Sequence, residues 1–523
     1  MSIGNSGRIV IEIPAEKKRL LYSELSRRGI SLKGWFLDQV AGYLRTNGES
    51  HSLEQKSPND ASHAQADLQN TVGVRSSAKI PKAGKSRPQS TEQKLHKTYE
   101  SLESRYAVRV LSSDVSYVSP VNFVESMRRS RHRWFPYKEG FSPTFVQGFI
   151  TEFSRSSNGL VFDPFSGVGT TCLVASKLGF RSVGLDVSPM ATFIAKVKST
   201  QLKKQELTAF KNYICDINRS SLTKSYAQPN NATVVSYFEE QYLSALLAIR
   251  LAVEDAPSEK ISNLALLAFL TLIEEFSTHR KAGNGVKRKT RFEYRKSSES
   301  AVEQVRRAFV NKLNEMREDL ESDSIITSPE FRMASCINSG AFADVGDIEL
   351  ALTSPPYANC FDYSKIYMRE LWLGGFFKSA PDQVAFRKDS IRSHVHATWN
   401  DRNIEHGSEI AEQLICPSLE SQDLWSNKIP SMISGYFKDI GALLVDLKPK
   451  LRKGASFGIV VGNSVYGGVS VASDLLIAEM AEKIGYDISR IDVYRGVIPS
   501  SQQYALIDDR RWARESTVIV KKK

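Results

Sequence analysis

The sequence predicts an α/β protein with a mostly parallel, doubly wound sheet of about seven strands, interrupted by a helical insertion and preceded by a small β-α-α module. Three stretches predict it. Residues 160–186 give an apolar strand, a glycine-bearing turn, a helix and a second strand ending at Asp186, the order of a βαβ unit. Residues 348–352 form another apolar run, stopped by Thr353-Ser354-Pro355-Pro356-Tyr357. From Ile429 a long helical pattern leads to a strand at 456–461, a helix at about 473–484, and two closing strands around 488–494 and 516–520 that read as an antiparallel pair.

Taken in order, residues 8–14 (RIVIEIP) alternate Ile9, Ile11 and Ile13 with Arg8, Val10 and Glu12, the period of a half-buried strand. Two helical patterns follow, one with Leu20, Leu21 and Leu25 and one with Trp35, Phe36, Val40 and Leu44. So short a unit buries too little to be stable alone. Residues 1–46 resemble a ribbon-helix-helix module, in which two chains pair their strands, and the resemblance implies DNA binding or homodimerisation. Residues 47–97 turn to Ser, Gln, Asn, Lys, Ala and Pro, with no aromatic between Tyr43 and Tyr99, the composition of a disordered linker. The third domain is expected at 98–523, with residues 200–330 as its helical insertion.

Composition narrows the partners. A formal charge of +12 favours a polyanion. No apolar run approaches the ~20 residues that cross a bilayer, so a cytoplasmic protein without a membrane partner is expected. The five cysteines show no metal spacing, and His394-x-His396 has no third ligand in the sequence; no metal site is expected.

The chemistry lies in two motifs. In DPFSGVGTT (163–171), Gly167 and Gly169 let a ligand approach the backbone, and Asp186 stands where an acidic residue can hold a ribose hydroxyl pair. The turn lacks the third glycine of the dinucleotide fingerprint, which disfavours a pyrophosphate cofactor. In TSPPY, two prolines fix a stiff loop at the carboxyl end of a strand, presenting a hydroxyl, carbonyls and an aromatic ring. DPFSGVGTT, GLDVSP (184–189) and TSPPY together resemble the motifs of the S-adenosylmethionine-dependent DNA amino-methyltransferases, which modify cytosine N4 or adenine N6.

That resemblance implies a Rossmann-like methyltransferase fold and S-adenosyl-L-methionine as cofactor, held by Asp163, Pro164, Phe165, Gly167, Gly169, Thr170, Asp186 and Thr353. HRWFPYKEGFSP (132–143) resembles the family's segment over the cofactor methionine, which adds Trp134 and Pro136, and Asn338 falls where the adenine amino group is bound. Ser354, Pro355, Pro356 and Tyr357 become the catalytic tetrapeptide. Ser354 Oγ and the Pro355 carbonyl are assigned to the protons of the attacking amine, and Tyr357 to stacking on a base flipped from the duplex. Serine at the first position favours cytosine N4 over adenine N6.

The segment 279–296 carries eight Lys or Arg against one Glu. Lys281, Lys287, Arg288, Lys289, Arg291 and Arg295 are therefore expected to contact the phosphates of double-stranded DNA. The function expected is a site-specific DNA methyltransferase, the modification partner of a cognate restriction endonuclease. The alternatives are an adenine N6 enzyme, an RNA base methyltransferase, and a non-catalytic DNA-binding regulator built on the N-terminal module. The target-recognition region is expected in 200–330 or in the polar loop 380–425.

Overall fold

A computed structural model describes residues 91–112, 120–138, 140–290, 299–397, 405–497 and 510–523, with Leu21, Glu24, Leu25 and Trp35. The chain divides into two units, Met1–Ser86 and Arg87–Lys523. In the first, the four described residues are helical and Leu25 is buried. The ribbon expected at 8–14 lies outside the described residues.

The second unit is organised on an eight-stranded sheet of β1 (Val108–Val110), β2 (Leu160–Asp163), β3 (Arg181–Asp186), β4 (Glu330–Met333), β5 (Ile348–Thr353), β6 (Leu451–Gly462), β7 (Tyr486–Gly496) and β8 (Arg514–Lys522). Their spatial order is β1-β7-β8-β6-β5-β2-β3-β4. Only β8 is antiparallel to its neighbours, β7 and β6; every other adjacent pair is parallel. This is the expected mostly parallel sheet with one strand more, because three-residue β1 is too short for periodicity to show.

Burial explains the strand sequences. All of β2 and β5 is buried, so these central strands read as near-continuous apolar runs rather than alternations, broken within β5 by Glu349, whose carboxylate accepts the Arg155 amide and the Arg452 guanidinium. Within β2, Leu160 and Phe162 pack toward α10 (Ile429–Leu447) and α11 (Ser473–Ile484), whereas Val161 packs toward α2 (Pro143–Phe153) and α3 (Thr170–Lys177). Helices thus cover both faces. Helix α2 starts as its sequence predicts: Ser142 accepts the Phe145 amide at 3.1 Å and Pro143 takes the first helical position.

Two boundaries differ from expectation. Helix α1 (Thr91–Arg105) begins inside the segment read as linker, anchored by buried Leu95, Tyr99 and Leu102 at helical spacing; one leucine ahead of the first aromatic suffices to start it. The insertion is not helical throughout. Helices α4 (Pro189–Lys198), α5 (Lys204–Arg219), α6 (Glu240–Glu254), α7 (Glu259–Glu275) and α8 (Ala301–Ser322) build their own apolar core. Between α7 and α8, however, a β-hairpin pairs His279–Ala282 with Gly285–Arg288. Its turn contains Gly283 at φ +54° and an Asn284-Gly285 dipeptide, a hairpin signal carried by the sequence. Among the described residues no helix is long and apolar enough to cross a membrane.

Candidate functional site

The two motifs meet at the carboxyl ends of adjacent strands β2 and β5. Buried Asp163 closes the junction: its Oδ1 accepts the Thr353 hydroxyl at 2.6 Å and the Phe165 amide at 3.1 Å. Beyond it, Gly167 (φ +50°) donates its amide to Asp186 Oδ2 at 2.8 Å, and the Ser188 amide reaches Asp186 Oδ1 at 2.7 Å. Each oxygen of Asp186 therefore keeps acceptor capacity for a further donor. Gly169, at φ +81°, caps α3; a side chain there would meet Ala195 Cβ and the Phe331 ring at 2.9 Å. Burial pushes both Asp163 and Asp186 up to about 6, against the hydrogen bonds that hold them.

Two cavities flank this junction. The larger, about 720 Å³, is lined by Pro164, Phe165, Gly167 and Asp186 from the glycine motif and by Ser354 and Pro356 from TSPPY. The second, about 510 Å³, is lined by Asp163, Gly167, Thr170 and Ser354, with buried Lys198. Tyr137, Phe165, Gly167 and Ser354 belong to both, so Ser354 stands on the wall the two cavities share. The Lys198 amine donates to the carbonyls of His132 (3.1 Å) and Phe135 (3.5 Å), and burial pulls its pKa down to about 7.

Several expected residues lie elsewhere. Trp134 is fully buried in the helical core, its indole N–H donating to Asp319 at 2.8 Å, and exposed Pro136 lines neither cavity. Their neighbours Phe135 and Tyr137 do line them. Asn338 borders a depression that adjoins the larger cavity, the two sharing Ala334, Ser335 and Asp389, and its Oδ1 accepts the Gly340 amide; Ser335 and Cys336 line the larger cavity itself. Gly169, Thr353 and Pro355 line neither cavity. Tyr357, beside Ser354, is not part of the lining: its ring lies against Gly462 and its hydroxyl donates to Glu515 at 2.8 Å.

The basic hairpin is similarly sorted. Lys287 and Arg288 are exposed. Lys281 is buried, paired with Glu274 at 2.7 Å and with Glu370, its amine 4.9 Å from the Tyr367 ring centroid. It ties the hairpin to the helices and is not available to phosphate; exposed Arg280 is its outward neighbour. Lys289 donates to the carbonyls of Glu274 and Glu275. Arg291 and Arg295 lie outside the described residues. At the hairpin tip, Asn284 donates to the Asn359 carbonyl at 2.7 Å, two residues past TSPPY, which sets the hairpin beside the site.

The start of the polar loop 380–425, one of the two regions expected to meet the target, closes the larger cavity, where Phe386, Asp389, Ser390, Ile391, Ser393 and His394 contribute; none of these was singled out from the sequence for that role. Arg392 pins it, its amide and guanidinium meeting buried Asp439 at 2.7–3.1 Å. Asp362 does stand as a third group beside His394 and His396. Its carboxylate is already engaged by the Arg387 guanidinium at 2.8 Å and the Ser364 hydroxyl at 2.6 Å, so the cation here is an arginine.

An acceptor carboxylate with open lone pairs, a turn that is bare backbone at Gly167, and the rings of Tyr137 and Phe165 suit an adenosyl group. Together with the sheet, they are the features expected of an S-adenosylmethionine-dependent methyltransferase. The comparisons sharpen the class. A family model described as DNA methylase, of the N6/N4 type, matches residues 55–196. The chain is similar to the Type II methyltransferase M.AvaI of Nostoc and of Anabaena variabilis, at 24% identity over 79% of this chain and 90% of the relative. It is also similar to M.BsoBI of Geobacillus stearothermophilus, at 24% identity over 74% and 84%. A solved structure, TrmN from Thermus thermophilus, aligns at 9% identity and a TM-score of 0.25 over 77% of this chain and 53% of that one, too loosely to bear on the argument. The resemblance to the S-adenosylmethionine-dependent DNA amino-methyltransferases is thus borne out, and S-adenosyl-L-methionine is the cofactor of this family and fold.

Proposed function

We propose that the protein methylates the N4 amino group of a cytosine flipped out of double-stranded DNA, as the modification enzyme of a restriction-modification system. The observation that carries this reading is the position of Ser354 on the wall common to both cavities. The Type II methyltransferase names of its relatives support the pairing with a cognate endonuclease.

When bound, S-adenosyl-L-methionine supplies a methyl group on a positively charged sulfur. Asp186 would hold its ribose hydroxyls, Gly167 and Phe165 would border it, and the second cavity with Thr170 would take its amino-acid end. Ser354 Oγ and the Pro355 carbonyl accept hydrogen bonds from the amine and draw it toward the pyramidal geometry of attack, an interaction strongest in the transition state. Phe361 and Tyr363, which line the larger cavity, supply rings against the base and exclude water around it, whereas the Tyr357 ring is held behind Ser354 against Gly462. Nucleophile and methyl group are held in line by this placement rather than by a covalent enzyme intermediate.

The cofactor assignment predicts a pH dependence. Asp186 titrates at about 6 in the free protein, and only its ionised form offers both oxygens to a diol. Cofactor affinity should weaken as the pH falls below about 6, approaching tenfold per pH unit, while Asp186→Asn should bind weakly with a flat profile. Equilibrium binding by calorimetry from acid to neutral pH checks this.

For DNA, Lys287 and Arg288 are proposed as phosphate contacts. Replacing either by alanine should reduce the slope of log affinity against log salt by about 1, whereas Lys281→Ala should act on stability. Incorporation of labelled methyl into duplex DNA and into structured RNA tests the substrate class: the reading expects DNA, and a preference for RNA would overturn it.

A further inference from the structure

The hydroxyl of Ser354 continues into the protein. Its Oγ donates to the Tyr357 hydroxyl across 3.4 Å, the Tyr357 hydroxyl donates to Glu515 Oε1 at 2.8 Å, and Glu515 Oε2 accepts from Arg495 Nε at 2.5 Å. The first link is long, as such contacts often are before substrate tightens them. Glu515 is only 3% exposed. The sheet presents it: β8 runs against the other strands, so its first residues stand at the edge where β5 and β6 end, and Glu515 lies in register between Arg495 of β7 and Gly462 of β6. Gly462 leaves room for the Tyr357 ring, since a Cβ there would come within 2.8 Å of it. A merely structural carboxylate would need only its arginine. Here the second oxygen is aimed at the tyrosine that borders the reacting serine.

We infer that Glu515 is the final acceptor of the proton that methylation removes from the target amine, delivered through Ser354 and Tyr357. The inference rests on the reading that Ser354 faces that amine. The nitrogen lone pair forms the new N–C bond as the methyl carbon's bond to sulfur breaks, and that bond's electron pair stays on sulfur. Nitrogen then carries one proton too many. It passes to Ser354 Oγ, whose own proton moves to the Tyr357 oxygen, whose own moves to the Glu515 carboxylate. Serine and tyrosine end neutral, and the carboxylate ends protonated beside Arg495. Each hydroxyl donates to the next group toward Glu515, which is the direction of transfer. Glu515 and Arg495 are positioning residues here, acting on the amine through Ser354.

The test is single-turnover methyl transfer by the full-length protein at saturating cofactor and DNA, comparing wild type with E515Q, Y357F and the double variant. Each single variant should slow the reaction on the order of 100-fold, and the double should be no slower than the slower single, because both cut one wire. Cofactor and DNA dissociation constants should stay within about twofold of wild type, as expected for an interaction absent from ground-state binding. The wild type should show a solvent deuterium effect with a curved proton inventory, and both singles should lose it. A wild-type rate in E515Q, multiplicative losses in the double, or an unchanged proton inventory would overturn the relay. Should E515Q fail to fold for want of Arg495's partner, Y357F leaves the Glu515–Arg495 pair intact and carries the test. A wild-type rate in S354A would instead overturn the placement of Ser354 at the amine, so the two failures are distinguishable.

Discussion

Asp319→Ala is expected to destabilise the helical part of the catalytic unit by about 3–5 kcal/mol, the usual cost of removing one partner from a buried ion pair. Asp319, on α8, is 3% exposed and accepts four bonds from one short segment: the Arg131 amide (2.9 Å), Arg133 Nε (3.1 Å) and Nη2 (2.6 Å), and the Trp134 indole (2.8 Å). Alanine leaves a buried indole N–H and a buried amide without acceptors. Because residues 131–134 lead directly into Phe135 and Tyr137, which line the cavities, lost stability should be accompanied by weaker cofactor binding. The Arg133 guanidinium and the donors around it hold the carboxyl below its ordinary value despite burial. Its contribution is therefore present above pH about 4 and is lost as the pH falls through the lowered value. Urea unfolding at neutral pH checks the magnitude; a change under about 1 kcal/mol, the level of an exposed pair, would mean that water replaces the carboxylate.

Ser354→Ala should lower the rate of methyl transfer by about 100- to 1,000-fold, the range observed when one preorganised group at a reacting centre is removed. The substitution takes away the acceptor for an amine proton and the first oxygen of the chain to Glu515. Binding should barely change, because the proposed cofactor contacts are Asp186 and the glycine turn and the proposed duplex contacts are Lys287 and Arg288. A large rise in KM with unchanged kcat would show that Ser354 contributes uniform binding instead.

What was legible in the sequence was local. The β2-α3-β3 unit, the TSPPY loop and the closing antiparallel pair are each specified within about 30 residues by periodicity and turn chemistry, and the structure forms them where expected. What stayed hidden depends on distant partners. Trp134 faces inward because Asp319 waits 185 residues away, and Tyr137 stands at the cavity because it stacks on Tyr367, centroids 4.9 Å apart. Residues 380–425 looked irregular, although Ser379 and Asp382 form a capping box and Pro381 opens helix α9 (Ala380–Asp389), a signal available to closer reading. The fixing of residues 391–394 by Asp439 had no sequence signature. Nor had Glu515, whose place follows from sheet register. Counting charge overestimated the basic hairpin, since a strand sends alternate residues to opposite sides and Lys281 fell on the buried one.

The central proposal, that Ser354 faces the N4 amine of cytosine, is tested most directly by identifying the modified base in plasmid DNA from cells expressing the protein, using sequencing that distinguishes N4-methylcytosine from N6-methyladenine. The expected result is N4-methylcytosine at one recurrent site, absent from cells expressing Ser354→Ala. N6-methyladenine at such a site, or no modified base with the protein present, would contradict it.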